Sequence, residues 1–192
     1  MTEPTWNPLL RDQLDWHWRN QLRGRLDGLT DAEYFWEPVP GCWNVRPRGR
    51  GDAPIQAGSG AMTIDFAFPP PDPAPLTTIA WRLGHVIVGV LGVRNAAHFG
   101  RSAVDYQSFD YAATANQALR QLEAEYATWT AGVETLGDAG LLRPCGPAEG
   151  PYADEPMATL VLHIHREVIH HLAEVCLLRD LYLHTHRSAL TR

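Results

Sequence analysis

The sequence predicts an all-α protein, an up-and-down bundle of four helices. Four stretches carry apolar residues at helical spacing, and residues that cap or break helices bound each of them. They cover residues 7–26, 77–99, 113–136 and 157–184. The chain has 192 residues, which is long enough for one domain with a full core and short for two. We therefore expect a single domain over residues 1–192.

Capping residues define the ends of these helices. Gly28 ends the first helix, and a capping box from Thr30 to Glu33 begins a short turn after it. Thr77 or Thr78 caps the second helix, which Gly100 ends. We expect the fourth helix to run antiparallel to a neighbouring helix, with His85 of the second helix facing it.

Two connections are long and non-helical. Residues 37–75 form an insertion rich in Pro, Gly and Arg, with residues 62–68 as the only strand-like alternation, and residues 137–156 precede the fourth helix. A connection of this length is usually functional or disordered. The insertion either covers the mouth of the bundle and binds an anionic substrate, or it is a flexible, solvated loop. Its candidate contact residues are Trp43, Arg46, Arg48 and Arg50.

The composition narrows the class of function. The formal net charge of -6 argues against nonspecific nucleic-acid binding, which needs a cationic face. All 16 basic residues are arginine, so no lysine is present to form a Schiff base. Cys42, Cys145 and Cys176 lack CxxC pairing and are expected to be reduced thiols. Neither a membrane span nor a signal peptide is visible, so we expect a cytoplasmic protein that does not bind membranes.

A histidine-rich run lies inside the fourth helix. His163, Glu167, His170 and Glu174 fall on one stripe of that helix, at about 100° per residue, and His171 lies beside Glu167. The stripe borders the apolar face of the helix instead of opposing it. Solvated surface helices rarely carry titratable groups in that place, and a metal ion bound between helices would explain them.

The spacing also selects candidate ligands. Glu167 and His171 stand at the i, i+4 spacing that lets two side chains converge on one ion. A third ligand must come from another helix, and His85 is the candidate because an unpaired polar ring among apolar residues is costly. Two imidazoles and one carboxylate suit zinc, nickel or iron(II) and leave positions open for water or substrate.

The same residues have an interpretation without a metal. A histidine at the edge of a core often bonds a backbone carbonyl, and Glu167 could pair with Arg82 or Arg179. We expect His165, about 160° from Glu167 on the helix, to be solvated. His98 stands at the end of the second helix, where its charge would favour the helix dipole.

Four motifs occur in the order of a known family. They are Tyr34-Phe-Trp36-Glu-Pro-x4-Trp43, Trp81-Arg-Leu-Gly-His85, His163-x3-Glu167-x3-His171-x2-Glu174 and Leu178-Arg-Asp-Leu-Tyr182. Together they resemble the DinB-like superfamily over nearly the whole chain. The resemblance implies a four-helix bundle, often dimeric, in which three histidines hold a divalent metal. One histidine comes from the second helix and two come from an HxxxH motif on the fourth.

Carried over by position, the resemblance places the metal ligands on His85, Glu167 and His171. Glu167 is a departure, because the family pattern usually has histidine there. His163 and His170 are the reserve nitrogen donors, one turn or less from the site. A general base is still needed, and His170 is the nearby candidate that the sequence offers. The residues expected around the ligands or in the pocket are His163, Glu174, Arg82 and Trp36.

The resemblance also implies a class of activity. The superfamily includes metal-dependent transferases that use low-molecular-weight thiols, and relatives with isomerase or hydrolase activity. We therefore expect a small-molecule substrate and a thiol cosubstrate. The alternatives are a ligand- or metal-binding protein without turnover and a helical dimer whose polar seam is a relic. We expect a homodimer, because Trp6, Trp16 and Trp18 give the first helix more aromatic surface than one core seam needs.

Overall fold

A computed structural model describes residues 5–187. Its first long helix (residues 6–26) is continuous, and the second (residues 79–98) follows a long connection. The first long helix consists of α1 (Trp6–His17), a π-helical turn (Trp18–Leu22) and α2 (Arg23–Leu26). The short α3 (Asp31–Tyr34) comes next. The second long helix consists of α4 (Ile79–His85), a π-helical segment (Val86–Gly92) and α5 (Val93–His98).

The third and fourth long helices are α6 (Ala115–Leu141) and α7 (Met157–Arg187). The four helices predicted from periodicity are therefore present. The capping box of Thr30 and Glu33 is also present, and Thr78 caps α4. The predicted third helix was too short at its end, because the chain resumes helical structure after Gly137, whose φ is 56°.

A small antiparallel sheet lies in the connection between the first two long helices. Its strands are β1 (Val45–Pro47), β2 (Ile55–Ala57) and β3 (Met62–Phe66), with β3 in the middle. The alternation in residues 62–68 predicted only β3. Strands β1 and β2 have three residues each, which is too short for a period of two to be recognised. The protein is thus mostly helical, with a small sheet that the all-α prediction lacks.

Contacts between the long helices give their directions. The first long helix is antiparallel to α6: Asn7 Nδ2 donates to the Val133 carbonyl (2.7 Å), and Arg23 pairs with Glu123 (2.7 Å). The fourth helix, α7, is antiparallel to the second, because the ring of His85 meets that of His171 while Arg82, one turn earlier, pairs with Glu174. The expected placement of His85 opposite α7 is confirmed.

The predicted up-and-down order is wrong. Asn95 Nδ2 donates to the Glu125 carbonyl (3.0 Å), and Phe99, one turn further, packs on Trp129 of α6 (5.4 Å between ring centroids). The second long helix and α6 therefore run parallel, and residues 99–114 carry the chain back along the bundle. A parallel pair needs such a crossover connection, which periodicity within the helices does not reveal.

The three tryptophans of the first long helix differ in burial. Trp18 is buried and stacks on Tyr126, with ring centroids 3.9 Å apart. Trp6 and Trp16 are 62% and 54% exposed. Trp18 therefore belongs to the core, and only the other two tryptophans remain for an interface. Within residues 5–187, no helix has the length and apolarity needed to cross a membrane.

The prediction that His165 is solvated is wrong. Its exposed fraction is 6%, and its ring meets the edge of Trp129 (6.2 Å). The prediction considered only the angle between His165 and Glu167 around the helix. The first long helix and α6 also pack against α7, and they cover the face that carries His165. Burial lowers the pKa of His165 to about 4, although Asp15 on the first long helix favours the charged form.

The arginines of the first connection bind their own segment. Arg46 pairs with Glu37 (2.7 Å) and with the buried Asp65 (2.9 Å). Arg48 donates to the carbonyls of Gly58 (2.7 Å) and Gly60. Trp43 packs against Phe66 and Trp81, and Arg50 is exposed. These contacts hold the segment in place, which argues against a flexible loop. They also occupy Arg46 and Arg48, which argues against arginines kept free to bind an anion.

Candidate metal centre

His85 is held on two sides where α4 meets the π-helical segment. The ring of Trp81, one turn earlier, stacks on it with a centroid distance of 5.3 Å. Its Nδ1 shares a hydrogen bond of 2.7 Å with the Tyr106 hydroxyl. Burial, and then the neighbouring His171 and Arg82, lower the pKa of His85 to about 4. The imidazole is therefore neutral at pH 7, the form that can bind a metal.

His171 lies opposite, on α7, and is buried. Its ring is nearly perpendicular to that of His85, with centroids 4.7 Å apart. Its Nε2 is 3.4 Å from Glu167 Oε2, and its Nδ1 is 2.8 Å from Glu174 Oε2. A carboxylate bonded to one ring nitrogen orients the ring and leaves the other nitrogen for an ion. The structure thus places His171 beside both His85 and Glu167, between two helices.

A second donor set overlaps the first. Among residues 5–187, the group that meets the spacing of a metal site is His170, His171 and Glu174, with one ligand atom of each within 4.8 Å of the others. This cluster could hold a metal ion. It shares only His171 with the set predicted from the sequence, which placed His170 as a base and Glu174 nearby.

Arg82 distinguishes the two donor sets. Its NH1 lies 3.2 Å from Glu174 Oε2 and 3.3 Å from His171 Nδ1, and its guanidinium lies over the ring of Trp81 (5.5 Å). A cation thus already contacts two of the three donors in the second set. Arg166 contacts Glu167 through its other oxygen, Oε1 (3.4 Å), which leaves Oε2 directed at His171. An ion held by His170, His171 and Glu174 would have to compete with Arg82.

The two arginines that were alternative partners for Glu167 pair with other carboxylates. Arg82 pairs with Glu174, and Arg179 pairs with Glu33 (2.9 Å). His98 also has a specific partner, because its Nε2 is 2.9 Å from Oε1 of the half-buried Glu149 in the connection before α7. The interaction of His98 is therefore with a side chain of a loop and does not depend on the helix dipole alone.

His163 connects the site to a cavity. Its Nδ1 is 3.6 Å from Glu167 Oε1 and 2.6 Å from Arg166 NH2. His163 and Arg166 also line a cavity of about 520 Å³, together with Arg94 and residues from the connection before α7. Its remaining lining residues are Cys145, Glu149, Tyr152, Glu155, Thr159, Leu160 and Leu162.

Trp36 does not lie where the sequence predicted. It packs edge-on against Tyr182 (5.5 Å) and His186 (5.7 Å), near the end of α7. Tyr182 is about three turns beyond His171 on that helix. The motif containing Trp36 therefore holds α3 and its following turn against α7, at a distance from the candidate ligands.

Sequence reasoning missed Tyr106. It lies in residues 99–114, where no periodicity or motif marks it, and its role depends on a contact with a residue 21 positions earlier. The cysteines, in contrast, behave as expected: Cys42, Cys145 and Cys176 are free and buried.

Comparison with known proteins gives one match. The family model described as the DinB superfamily matches residues 13–175. No curated protein and no solved structure matches the chain. The resemblance recognised in the four motifs is thus confirmed by the family model over most of the chain.

Proposed function

The chain belongs to the DinB superfamily, and from that membership we propose that it is a divalent-metal-dependent enzyme that transfers a low-molecular-weight thiol to a small molecule. His85, Glu167 and His171 would hold the ion. The observation that carries this proposal is the convergence of His85 and His171 from two helices, with ring centroids 4.7 Å apart. The thiol chemistry is supported only by the resemblance to the superfamily.

The donor set fits zinc, nickel or iron(II). Two imidazoles and a carboxylate are ligands that these ions accept, and Glu174 orients the His171 ring through its Nδ1 (2.8 Å). When bound, such an ion would lower the pKa of a coordinated thiol and so supply a thiolate at neutral pH. We assign the general base to His170. Its side chain is 62% exposed and so can release the thiol proton to water.

The cavity beside His163 supports a small-molecule substrate. Its volume of about 520 Å³ lies within the range of small-molecule sites. His163 lines the cavity and also approaches Glu167 (3.6 Å), so that one side chain, His163, separates the cavity from a proposed ligand. We place the acceptor substrate there.

A second candidate function is a binding protein without turnover. Arg82 supports this second candidate. Its guanidinium contacts both His171 and Glu174, and its positive charge balances the Glu174 carboxylate without a metal ion. The two candidates differ in whether the native protein binds a divalent ion and whether that ion supports a reaction.

Zinc titration of variants distinguishes the two donor sets. We expect His85→Gln to reduce zinc affinity by at least about 100-fold, because losing a direct ligand should cost more than losing the partner of one. His170→Ala should leave zinc affinity unchanged, since Arg82 already contacts the other two members of its set. Calorimetry on protein purified without a histidine tag measures both. If the effects are reversed, the ion lies among His170, His171 and Glu174.

Turnover is tested with zinc-loaded protein, cysteine and 1-chloro-2,4-dinitrobenzene. The thiol sulfur forms a bond to the ring carbon, and chloride and the thiol proton leave. We expect catalysis, and a general-base role predicts that His170→Ala lowers the rate by about 100-fold or more while zinc is retained. If the zinc, nickel and iron(II) forms all leave the uncatalysed rate unchanged, the binding protein without turnover is the better interpretation.

The outer face of α1 supports the proposed homodimer. Trp6, Leu9 and Trp16 are exposed and follow one another at helical spacing. We expect sedimentation at micromolar concentration to give about twice the chain mass of 21.4 kDa, and Trp16→Glu to produce monomers because it places a charge in an apolar interface. A native protein that sediments as a monomer would contradict the dimer.

A further inference from the structure

The crossover connection, residues 99–114, reaches the candidate metal centre through Tyr106. We propose that Tyr106 is a positioning residue that holds His85 in the ring orientation and tautomer needed for metal binding, and that Gly89 exists to admit its hydroxyl. The inference rests on the proposed function only in that His85 is a ligand. It assigns a role to a residue that neither the motifs nor the helical pattern includes.

The ring of His85 is fixed from two directions. Tyr106 Oη lies 2.7 Å from His85 Nδ1, and the planes of the two rings differ by 6°. Trp81 stacks on the imidazole from the preceding turn. Phe66 of β3 in turn meets the ring of Tyr106 edge-on (4.8 Å). The edge of His85 that carries Nε2 is therefore the one directed away from Tyr106.

Gly89 makes this contact possible. A Cβ atom at position 89 would overlap the Tyr106 hydroxyl and lie 3.2 Å from His85 Nδ1. Glycine inside a helix costs about 1 kcal/mol relative to alanine, so its presence there indicates a local requirement for space. At Gly92, one turn later, a Cβ would lie 2.8 Å from the Ile87 carbonyl oxygen and 3.1 Å from Val104. The second long helix thus presents glycines where the crossover connection lies against it.

Tyr106 is also ordered by its own turn. Oδ1 of Asp105 accepts hydrogen bonds from the amides of Gln107 (2.9 Å) and Ser108 (2.7 Å). The Tyr111 hydroxyl donates to the Tyr106 carbonyl (3.2 Å). The phenol is therefore placed by the backbone around it before it meets His85, as a positioning group must be.

The direction of this hydrogen bond decides which nitrogen of His85 is free, and metal binding through Nε2 requires Nδ1–H to be the donor. A neutral imidazole carries one N–H and one lone pair. When Nδ1–H donates to Tyr106 Oη, the lone pair is on Nε2, the nitrogen directed away from Tyr106. Histidine ligands of metals usually donate their second ring N–H to a carboxylate, a backbone carbonyl or water, the part that the Tyr106 oxygen would take here, and loss of such a partner typically costs about 10–100-fold in metal affinity.

Tyr106→Phe is the direct test. We expect zinc affinity to fall by about 10–100-fold. In the metal-free native protein, ¹⁵N chemical shifts of the His85 ring should report one dominant tautomer, and in metal-free Tyr106→Phe they should report a mixture. Tyr126→Phe is the matched control, because it removes a buried phenol hydrogen bond of the same length, 2.7 Å to Asp15, far from His85. The control should change neither zinc affinity nor the His85 tautomer.

Gly89→Ala gives a second, independent variant. It keeps the phenol but displaces its hydroxyl, so we expect the same loss of zinc affinity, and the double variant with Tyr106→Phe should be no worse than either single one. Thermal unfolding verifies that each variant is folded. If Tyr106→Phe binds zinc as tightly as the native protein, or leaves the tautomer unchanged, the role of Tyr106 is excluded. If the native protein binds no zinc, the proposed function itself fails.

Discussion

We expect His171→Ala to reduce zinc affinity by more than about 100-fold, beyond the 10–100-fold typical for partners that only orient a ligand. His171 is shared by both donor sets, since its Nε2 faces Glu167 and its Nδ1 faces Glu174. Its removal therefore takes a ligand from an ion in either place. Isothermal titration with zinc, at a pH near 7 where imidazoles are mostly neutral, measures the loss.

His184→Ala is the matched control for this prediction, because His184 is an exposed histidine further along the same helix. It should leave zinc affinity unchanged. Glu167→His tests the site in the opposite direction, since it supplies a third imidazole in place of the carboxylate and should tighten zinc binding. If neither the native protein nor Glu167→His binds zinc, nickel or iron(II), the site is vestigial and the proposed enzyme is excluded.

The second large effect is a loss of stability in acid that depends on His165. The pKa of this buried histidine is lowered to about 4, whereas an unfolded histidine titrates near 6.5. The unfolded chain therefore binds a proton at pH 5 that the folded chain does not, and stability falls as the pH drops from about 6.5 toward 4. Between pH 7.5 and pH 5 this group alone should cost about 2 kcal/mol.

His165→Leu removes that titration. We expect the difference in unfolding free energy between pH 7.5 and pH 5, measured by urea denaturation, to be smaller by about 2 kcal/mol in the variant than in the native protein. The facing groups on the other helices are Asp15, the Leu10 carbonyl and Trp129, and the substitution leaves them in place. An unchanged pH dependence would show that His165 gains its proton in the folded protein as readily as in the unfolded one.

Features that depend on spacing within one helix were predictable. The periodicity of α7 predicted its extent, and the same spacing placed Glu167 one turn before His171, where the structure has their side chains 3.4 Å apart. His85 was predictable for a different reason, because a polar ring in an apolar stretch requires a partner from elsewhere. The motifs that resemble the DinB superfamily agreed with the match over residues 13–175.

Features that depend on how distant segments dock were not predictable. The position of Tyr106 beside His85 requires the crossover of residues 99–114, which exists because the second long helix and α6 run parallel. The position of Trp36 beside Tyr182, away from the candidate ligands, likewise depends on where α3 packs.

By itself, then, the sequence determined the helices, the carboxylate and imidazole spacing on α7 and the family, because each is a matter of neighbours along the chain. Only the tertiary structure decided that Arg82 contacts Glu174 and His171, and that His165 is buried. The physical reason is that a side chain's partners across helices depend on which faces pack together. That choice is made by the summed packing of the whole core and not by any single stretch of residues.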